Sequence, residues 1–373
     1  MNKKIALSML GIALIALVIA SYTLLSMQGK VIARSEVLNV GAVLPLTGAA
    51  SSWGKQIQNG MEVAKDELSA EGQQVRIIYE DSQANPQQGI IAYNKLAKVD
   101  KVNIIFSAFS RVSVPLVALS KEDKMPLIMT IVSAKNVTAG SEYAFRFYSD
   151  EKQYVEPHFK YIVKSRYPEV AILFINDDFG TSVREAVRNK LDSSGIKIVA
   201  DESFAPNSAD MRTQLSKIKE KNPKAVIFIG SVPIEVSSAL KQMQELNIKA
   251  DFIEASAALA QEAARVAAGE AGEGAYTIAF PFTLGMNGNA FKDKYKAEFK
   301  EELNFAAAFG YDLLMLSARA DKERGLTGKE LADEIKNVQN YKSLNGNVKI
   351  MKNGEINPET YAARVVNGGL VKV

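Results

Sequence analysis

The sequence predicts an α/β fold built as two doubly wound lobes, each around a parallel sheet. Three observations carry this. From Val37 onward, short apolar runs rich in Val, Ile and Phe alternate with amphipathic stretches. Strand and helix in alternation build a parallel sheet, and strands covered on both faces read as continuous apolar runs. The series has too many strands for one such unit; it pauses at "AFRFYSDEKQYVEP" and restarts at "VAILFINDDFG". A chain of 373 residues also suits two domains better than one core.

The expected strands are "VLNVGAVL", "VRIIYED", "VNIIFSA" and "PLIMTIV", then "VAILFIN", "IKIVA", "AVIFIG", "ADFIEA" and "AYTIAF". Most have the length and β-branched content of buried strands. Helices lie between them. After the first strand, Trp53, Ile57, Met61, Ala64 and Leu68 fall on one face at helical spacing, with Ser51 or Ser52 able to cap. "ADMRTQLSKIKEKN" and "PIEVSSALKQMQELN" share that period, and Pro233 stands where a helix start tolerates proline. Trp53 is the only tryptophan and sits on a strand-to-helix turn. It reads either as the first core residue of its helix or as an aromatic wall at a cleft rim.

Both halves repeat one device. "VNIIFSAFSRVSVPLVALS" and "AVIFIGSVPIEVSSALK" are each a strand, a turn of small residues and a helix. Each aims a helix N-terminus at the space beyond a strand's C-terminal end, where open parallel sheets bind ligands. Two such edges facing each other make a cleft.

The N-terminus has the form of an export signal: "MNKK", then the uncharged run Ile5 to Leu25, with small-residue sites after Ala20 and Ala33. Residues 1–33 are thus a signal peptide or, because the run could cross a bilayer, a membrane anchor. No cysteine follows the run, which argues against a lipoprotein.

Composition narrows the chemistry. A formal net charge of +3 and no basic cluster with interleaved aromatics give no case for nucleic acid. The absence of cysteine removes thiol catalysis and thiolate metal sites. The single histidine, His158, is expected on the first turn of a surface helix and supports neither catalysis nor metal binding. The glycines of "GEAGEG" are wrongly spaced for a dinucleotide and precede a strand. The acidic pairs Glu80-Asp81, Asp177-Asp178 and Glu301-Glu302 read as solvated surface rather than acid–base machinery. Asn136 opens a glycosylation triplet without other signs of that route. Ser110, Ser133, Ser231 and Ser256 each follow an expected strand. Without a histidine to activate them they are ligand contacts or helix caps, not nucleophiles. No enzyme activity, cofactor or metal is expected.

"VGAVLPLTGAASSWGKQIQNGMEVAKDEL" followed by "IIYEDSQANPQQGIIAYNKLA" resembles the start of the periplasmic binding proteins of branched-chain amino acid ABC transporters. "PLIMTIVSAKNVT", "FRFYSDEKQYVEP", "VAILFINDDFGTSVREAVRNKLDSSGIKIV" and "FGYDLLMLSARA" continue the likeness in order. The resemblance implies two lobes joined by three crossings, near Phe147, Phe282 and Gly346. Lobe one is then 37–148 plus 283–345, and lobe two 149–282 plus 346–373. It also implies a monomeric, extracytoplasmic protein that closes on a small molecule and presents it to a membrane permease. A ligand sensor of the same fold, anchored at the membrane, is the alternative.

Carried over by resemblance, the carboxylate-binding serine falls on Ser110 and the next contact loop on Ile131 to Ser133. The aromatic after the first strand falls on Trp53. Two tyrosine positions of the second lobe hold Phe179 and Ser231, and the acid that meets a ligand ammonium falls on Ser256. Glu254, two residues away, is not assumed to replace it. An ammonium taken from water without a counter-charge is costly. The expected ligand is therefore a small organic acid or another non-amino-acid molecule, with Arg111 beside Ser110 able to reinforce an anion.

Overall fold

The computed structural model describes residues 37–160, 167–286, 288–301, 303–322 and 325–373. The expected export segment, residues 1–33, and Glu302 of one acidic pair lie outside these. Among the described residues no helix is long and apolar enough to cross a membrane.

The first lobe opens with β1 (Val37–Leu44), α1 (Ser51–Ala70), β2 (Gln74–Asp81), α2 (Pro86–Asn94), β3 (Ile104–Ala108), α3 (Ser110–Asp123), β4 (Leu127–Thr130) and β5 (Ala144–Phe147). The second runs through α4 (Glu151–His158), β6 (Glu169–Ile175), α5 (Asp178–Ser193), β7 (Lys197–Phe204), α6 (Arg212–Glu220), β8 (Ala225–Ile229), α7 (Pro233–Glu245), β9 (Asp251–Glu254), α8 (Glu262–Ala268) and β10 (Tyr276–Ala279). The chain then returns to the first lobe with α9 (Asn289–Phe299), α10 (Phe305–Ala320) and α11 (Gly328–Asn337). A small ribbon follows, β11 (Lys342–Ser343) with β12 (Gly346–Asn347), then β13 (Lys349–Ile350), β14 (Glu355–Asn357), β15 (Tyr361–Val366) and β16 (Gly369–Lys372).

The two large sheets are ordered β13-β14-β5-β4-β3-β1-β2 and β16-β15-β10-β9-β8-β6-β7. Within each, the order 2-1-3-4-5 and its counterpart 7-6-8-9-10 are parallel throughout. The order reverses beside β1 in one sheet and β6 in the other, and loops part there to open a crevice. β3, β4 and β8 are buried along their whole length, as their largely apolar runs predict.

Four details differ from the sequence reading. The third crossing is not near Gly346: β14 pairs in parallel with β5, and β13 pairs with β14, so the first lobe's sheet continues to Asn357. A buried ion pair holds β14 there, Arg146 Nε to Glu355 Oε2 at 2.7 Å. Second, β5 and the antiparallel strands β15 and β16 are elements the sequence did not announce. Third, His158 is 1% exposed and ends α4, where burial pushes its imidazole down to about 4 and keeps it neutral. Fourth, Ala50 is the N-cap of α1, and no serine caps it; Ser52 turns instead to Gln261 of the second lobe, 3.5 Å away.

α1 and α10 meet backbone to backbone. A Cβ on Gly60 would overlap the Ala307 carbonyl oxygen, and one on Gly310 would overlap that of Ile57. Only glycine permits this approach.

Candidate functional site

The lobes face each other across a narrow cavity, whose empty space of about 390 Å³ includes open solvent at its mouth. Its walls come from the turns after strands and the first turns of the helices that follow them: Trp53 after β1, Phe109, Ser110 and Arg111 after β3, and Ile131 after β4. The second lobe adds Asp177 and Phe179 after β6, Gly230 and Ser231 after β8, and Ser256 to Ala258 after β9. Tyr148 and Tyr154 close it from the crossing between lobes.

Each wall has a local cause. Trp53 is 2% exposed and meets Phe109 and Phe305 edge-on, at centroid distances of 6.0 and 5.1 Å. It is a core residue whose ring also lines the cavity, so the two readings of its place are one. Phe109 and Ile131 have φ values of 71° and 55°. Such angles are strained for bulky side chains, and strain of this kind persists where surrounding packing over-determines it. Both sit where a strand gives way to a cavity wall. The Tyr148 and Tyr154 hydroxyls bond each other at 3.2 Å, and burial holds both phenols well above their usual range.

The polar groups are few. Ser110 Oγ accepts the Ser133 N–H at 3.2 Å, which leaves its own proton free to donate to a ligand. Ser110 also begins α3, whose first N–H groups lack intrahelical acceptors. Arg111 is buried rather than solvent-facing, and its Nε and Nη2 have no partner. Its Nη1 stands 3.7 Å from Asp177 Oδ2, across the cleft. Asp177 caps α5 through Oδ1, which accepts the Gly180 N–H at 2.8 Å. Burial pushes the Asp177 carboxyl up, against the pull of Gly180 and Arg111. Glu235 lies behind Ser231, fully buried, and accepts N–H bonds from Asn207, Ser231 and Val232.

Seven of the eight residues singled out in the sequence line this cavity: Trp53, Ser110, Arg111, Ile131, Phe179, Ser231 and Ser256. Ser133 does not; it positions Ser110 and donates its hydroxyl to the Ser149 carbonyl at 3.1 Å. Ser256 gives its proton to Glu254 at 2.5 Å, so its oxygen can only accept. Glu254 itself is fully buried and committed to Ser256, Thr277, Ala258 and Leu259. It has no free edge to offer a ligand ammonium. Asp177 was missed as a cavity residue, because an acid at a helix start reads as a solvated cap. Tyr148 and Tyr154 carried no sequence signal beyond lying in the pause between lobes.

A family profile described as periplasmic binding protein matches residues 37–369. The chain belongs to the periplasmic binding protein family. Members of this family bind substrates and are not enzymes. The relative "Leu/Ile/Val-binding protein homolog 2" of Brucella abortus (strain 2308) is 28% identical over 330 residues, 85% of this chain and 86% of that protein. Leucine binding protein LivK of Thermotoga maritima superposes with a TM-score of 0.81 at 21% identity, over 90% of this chain and 97% of its own. A solute binding protein of an ABC transporter from R. palustris, solved in complex with benzoate, superposes with a TM-score of 0.81 at 19% identity, over 90% and 95% of the two chains. At these identities the likeness speaks for the two-lobed periplasmic binding fold. The family and fold expected from the sequence are the ones found.

Proposed function

We propose that this periplasmic binding protein is exported, captures a small monocarboxylate with an apolar or aromatic body by closing its lobes, and delivers it to a membrane ABC permease. The observation that carries the ligand class is Arg111: a buried guanidinium with two unpartnered nitrogens, in a cavity walled by five aromatic rings. A carboxylate satisfies such a fork, and charge-assisted bonds of this type contribute about 1.5–3 kcal/mol each. Ser110 supplies a further donor, and Trp53, Phe109, Tyr148, Tyr154 and Phe179 suit an apolar body. Ser256 in the place of an acid, and Glu254 committed elsewhere, argue against an α-amino acid. The benzoate complex of the R. palustris relative is consistent with this class.

One observation favours a second reading. Asp177 Oδ2 stands close enough to Arg111 for a zwitterion to use both, with its ammonium on Asp177. Thermal shift with benzoate, 3,4-dihydroxybenzoate, hexanoate, leucine and isoleucine separates the two. A ligand at about a hundred times its Kd adds about 2.7 kcal/mol. Stabilisation by the acids supports the proposal; stabilisation by leucine or isoleucine alone refutes it. Mass spectrometry of the secreted protein reports where the N-terminus is cut. An intact segment 1–33 points to an anchored sensor rather than a free carrier.

A further inference from the structure

The charges gathered at the cleft do not balance for an anionic ligand. Among the described residues Arg111 is the single cation lining it, and it faces Asp177 at 3.7 Å. Glu235, behind Ser231 on α7, acts on the same guanidinium. Asp178, next along α5, adds its negative charge to Asp177. The Tyr148 and Tyr154 phenols across the cavity are bonded to each other and stay neutral. With both acids ionised, the group of Arg111, Asp177 and Glu235 carries one net negative charge. A ligand carboxylate brings a second, into a site whose charged side chains are largely buried. Buried carboxylates that share one cation cannot all stay ionised, so one of them takes a proton.

We propose that capture of a monocarboxylate by this protein takes up a proton, and that Asp177 is the group that receives it. The inference rests on the carboxylate reading of Arg111. Asp177 is the acceptor because of its position. It lines the cavity and faces Arg111, the place where the ligand carboxylate must compete. Burial pushes the Glu235 carboxyl up as well, against three backbone N–H donors at 2.7 to 3.2 Å, but Glu235 lies behind Ser231 and does not line the cavity. Burial already raises Asp177, and a second carboxylate on Arg111 raises it further. The balance is simple: the ligand arrives as its anion, solvent supplies one proton, and an O–H bond forms on the Asp177 carboxyl. No bond of the ligand breaks. The new O–H can donate to the bound carboxylate, and the neutral Asp177 leaves Arg111 free to turn to the ligand. The cavity thus takes in the equivalent of the uncharged acid.

The sign follows from linkage. Where binding takes up protons, affinity rises as pH falls, by at most about tenfold per pH unit for one proton. The experiment is titration calorimetry of the secreted protein with benzoate at about pH 7, in phosphate and in Tris, whose ionisation enthalpies differ widely. The expected result is a buffer-dependent heat that corresponds to up to about one proton taken up, with binding that tightens from about pH 8 to about pH 6. Asp177→Asn keeps the helix cap. It should remove both the uptake and the pH dependence and bind benzoate more tightly than the parent at the alkaline end. Arg111→Gln should lose benzoate at every pH. Tight, buffer-independent binding of benzoate by the parent overturns the inference while leaving the carboxylate reading intact, as does an Asp177→Asn variant with unchanged uptake. Binding of leucine but not benzoate, weakened at least tenfold in Asp177→Asn, overturns both and makes Asp177 the ammonium partner.

Discussion

Replacing Trp53 with alanine tests whether one ring can serve both the core and the cavity. The side chain is 2% exposed and makes edge-on contacts with Phe109 and Phe305. Each such aromatic pair contributes about 0.5–1.5 kcal/mol beyond its buried area. With the cavity left behind, a buried Trp→Ala change costs about 3–5 kcal/mol. At about 2.1 cal/mol/K of unfolding entropy per residue, this lowers Tm by about 4–7 °C for a chain of this size. Trp53→Phe keeps a ring and gives up an indole N–H that has no partner, so its cost should stay below about 1.5 kcal/mol. The assay is urea unfolding followed by circular dichroism, because both variants remove the only tryptophan. In the parent, Trp53 fluorescence should shift when a bound ligand closes the lobes. A loss below about 1 kcal/mol for Trp53→Ala would show that the ring is not part of the core, and the reasoning from its burial would fail.

Three further outcomes are expected. Ile131→Gly should change stability by less than about 1 kcal/mol in denaturant unfolding, because relief of a left-handed β-branched residue, worth about 1–2 kcal/mol, offsets the lost half-buried side chain; a loss above about 3 kcal/mol would contradict the strain. Glu355→Ala leaves Arg146 buried without its counter-charge and should cost about 3–5 kcal/mol by the same measurement, whereas a surface pair would cost under about 1. Asp312 is fully buried on α10, where it accepts from the Tyr341 and Ser343 hydroxyls and the Leu344 N–H, and burial pushes its carboxyl up to about 7. An acid raised by folding holds its proton when the unfolded chain has lost it, so this group lowers stability as pH rises from about 4 to about 7. Asp312→Asn should flatten that part of the stability–pH profile measured by urea unfolding, and an unchanged slope would assign it to other groups.

The β/α alternation was legible because each strand of the two parallel cores is covered on both faces and so spells an apolar word. The cavity residues were legible for a related reason. Parallel strands all end at one edge, so the small-residue turns after them converge whatever their separation in sequence. What the sequence hid depended on distant partners. β5 contains Arg146, which looks like surface until Glu355, 209 residues later, neutralises it. The C-terminal strands lie in an edge where pairing, not hydrophobic pattern, decides membership. His158 follows a proline and charged neighbours, and only the tertiary fold buries it. Asp177 caps its helix as any surface aspartate would. Its second carboxylate oxygen acquires meaning only when the other lobe brings Arg111 across the cleft.

The glycine notch between α1 and α10 has a consequence for how cargo can change over evolutionary time. With Gly60 against Ala307 and Gly310 against Ile57, α1 has no slack to shift or roll on its neighbour. Trp53, near the start of α1, is a fixed jaw. New cargo must then be accommodated by the opposite jaw, where Phe179 on the first turn of α5 and Ser231 and Ser256 on loops after strands can exchange one side chain at a time. A library randomised at those three positions should broaden what the protein holds while its melting temperature barely moves. Randomising Gly60 or Gly310 should do the reverse.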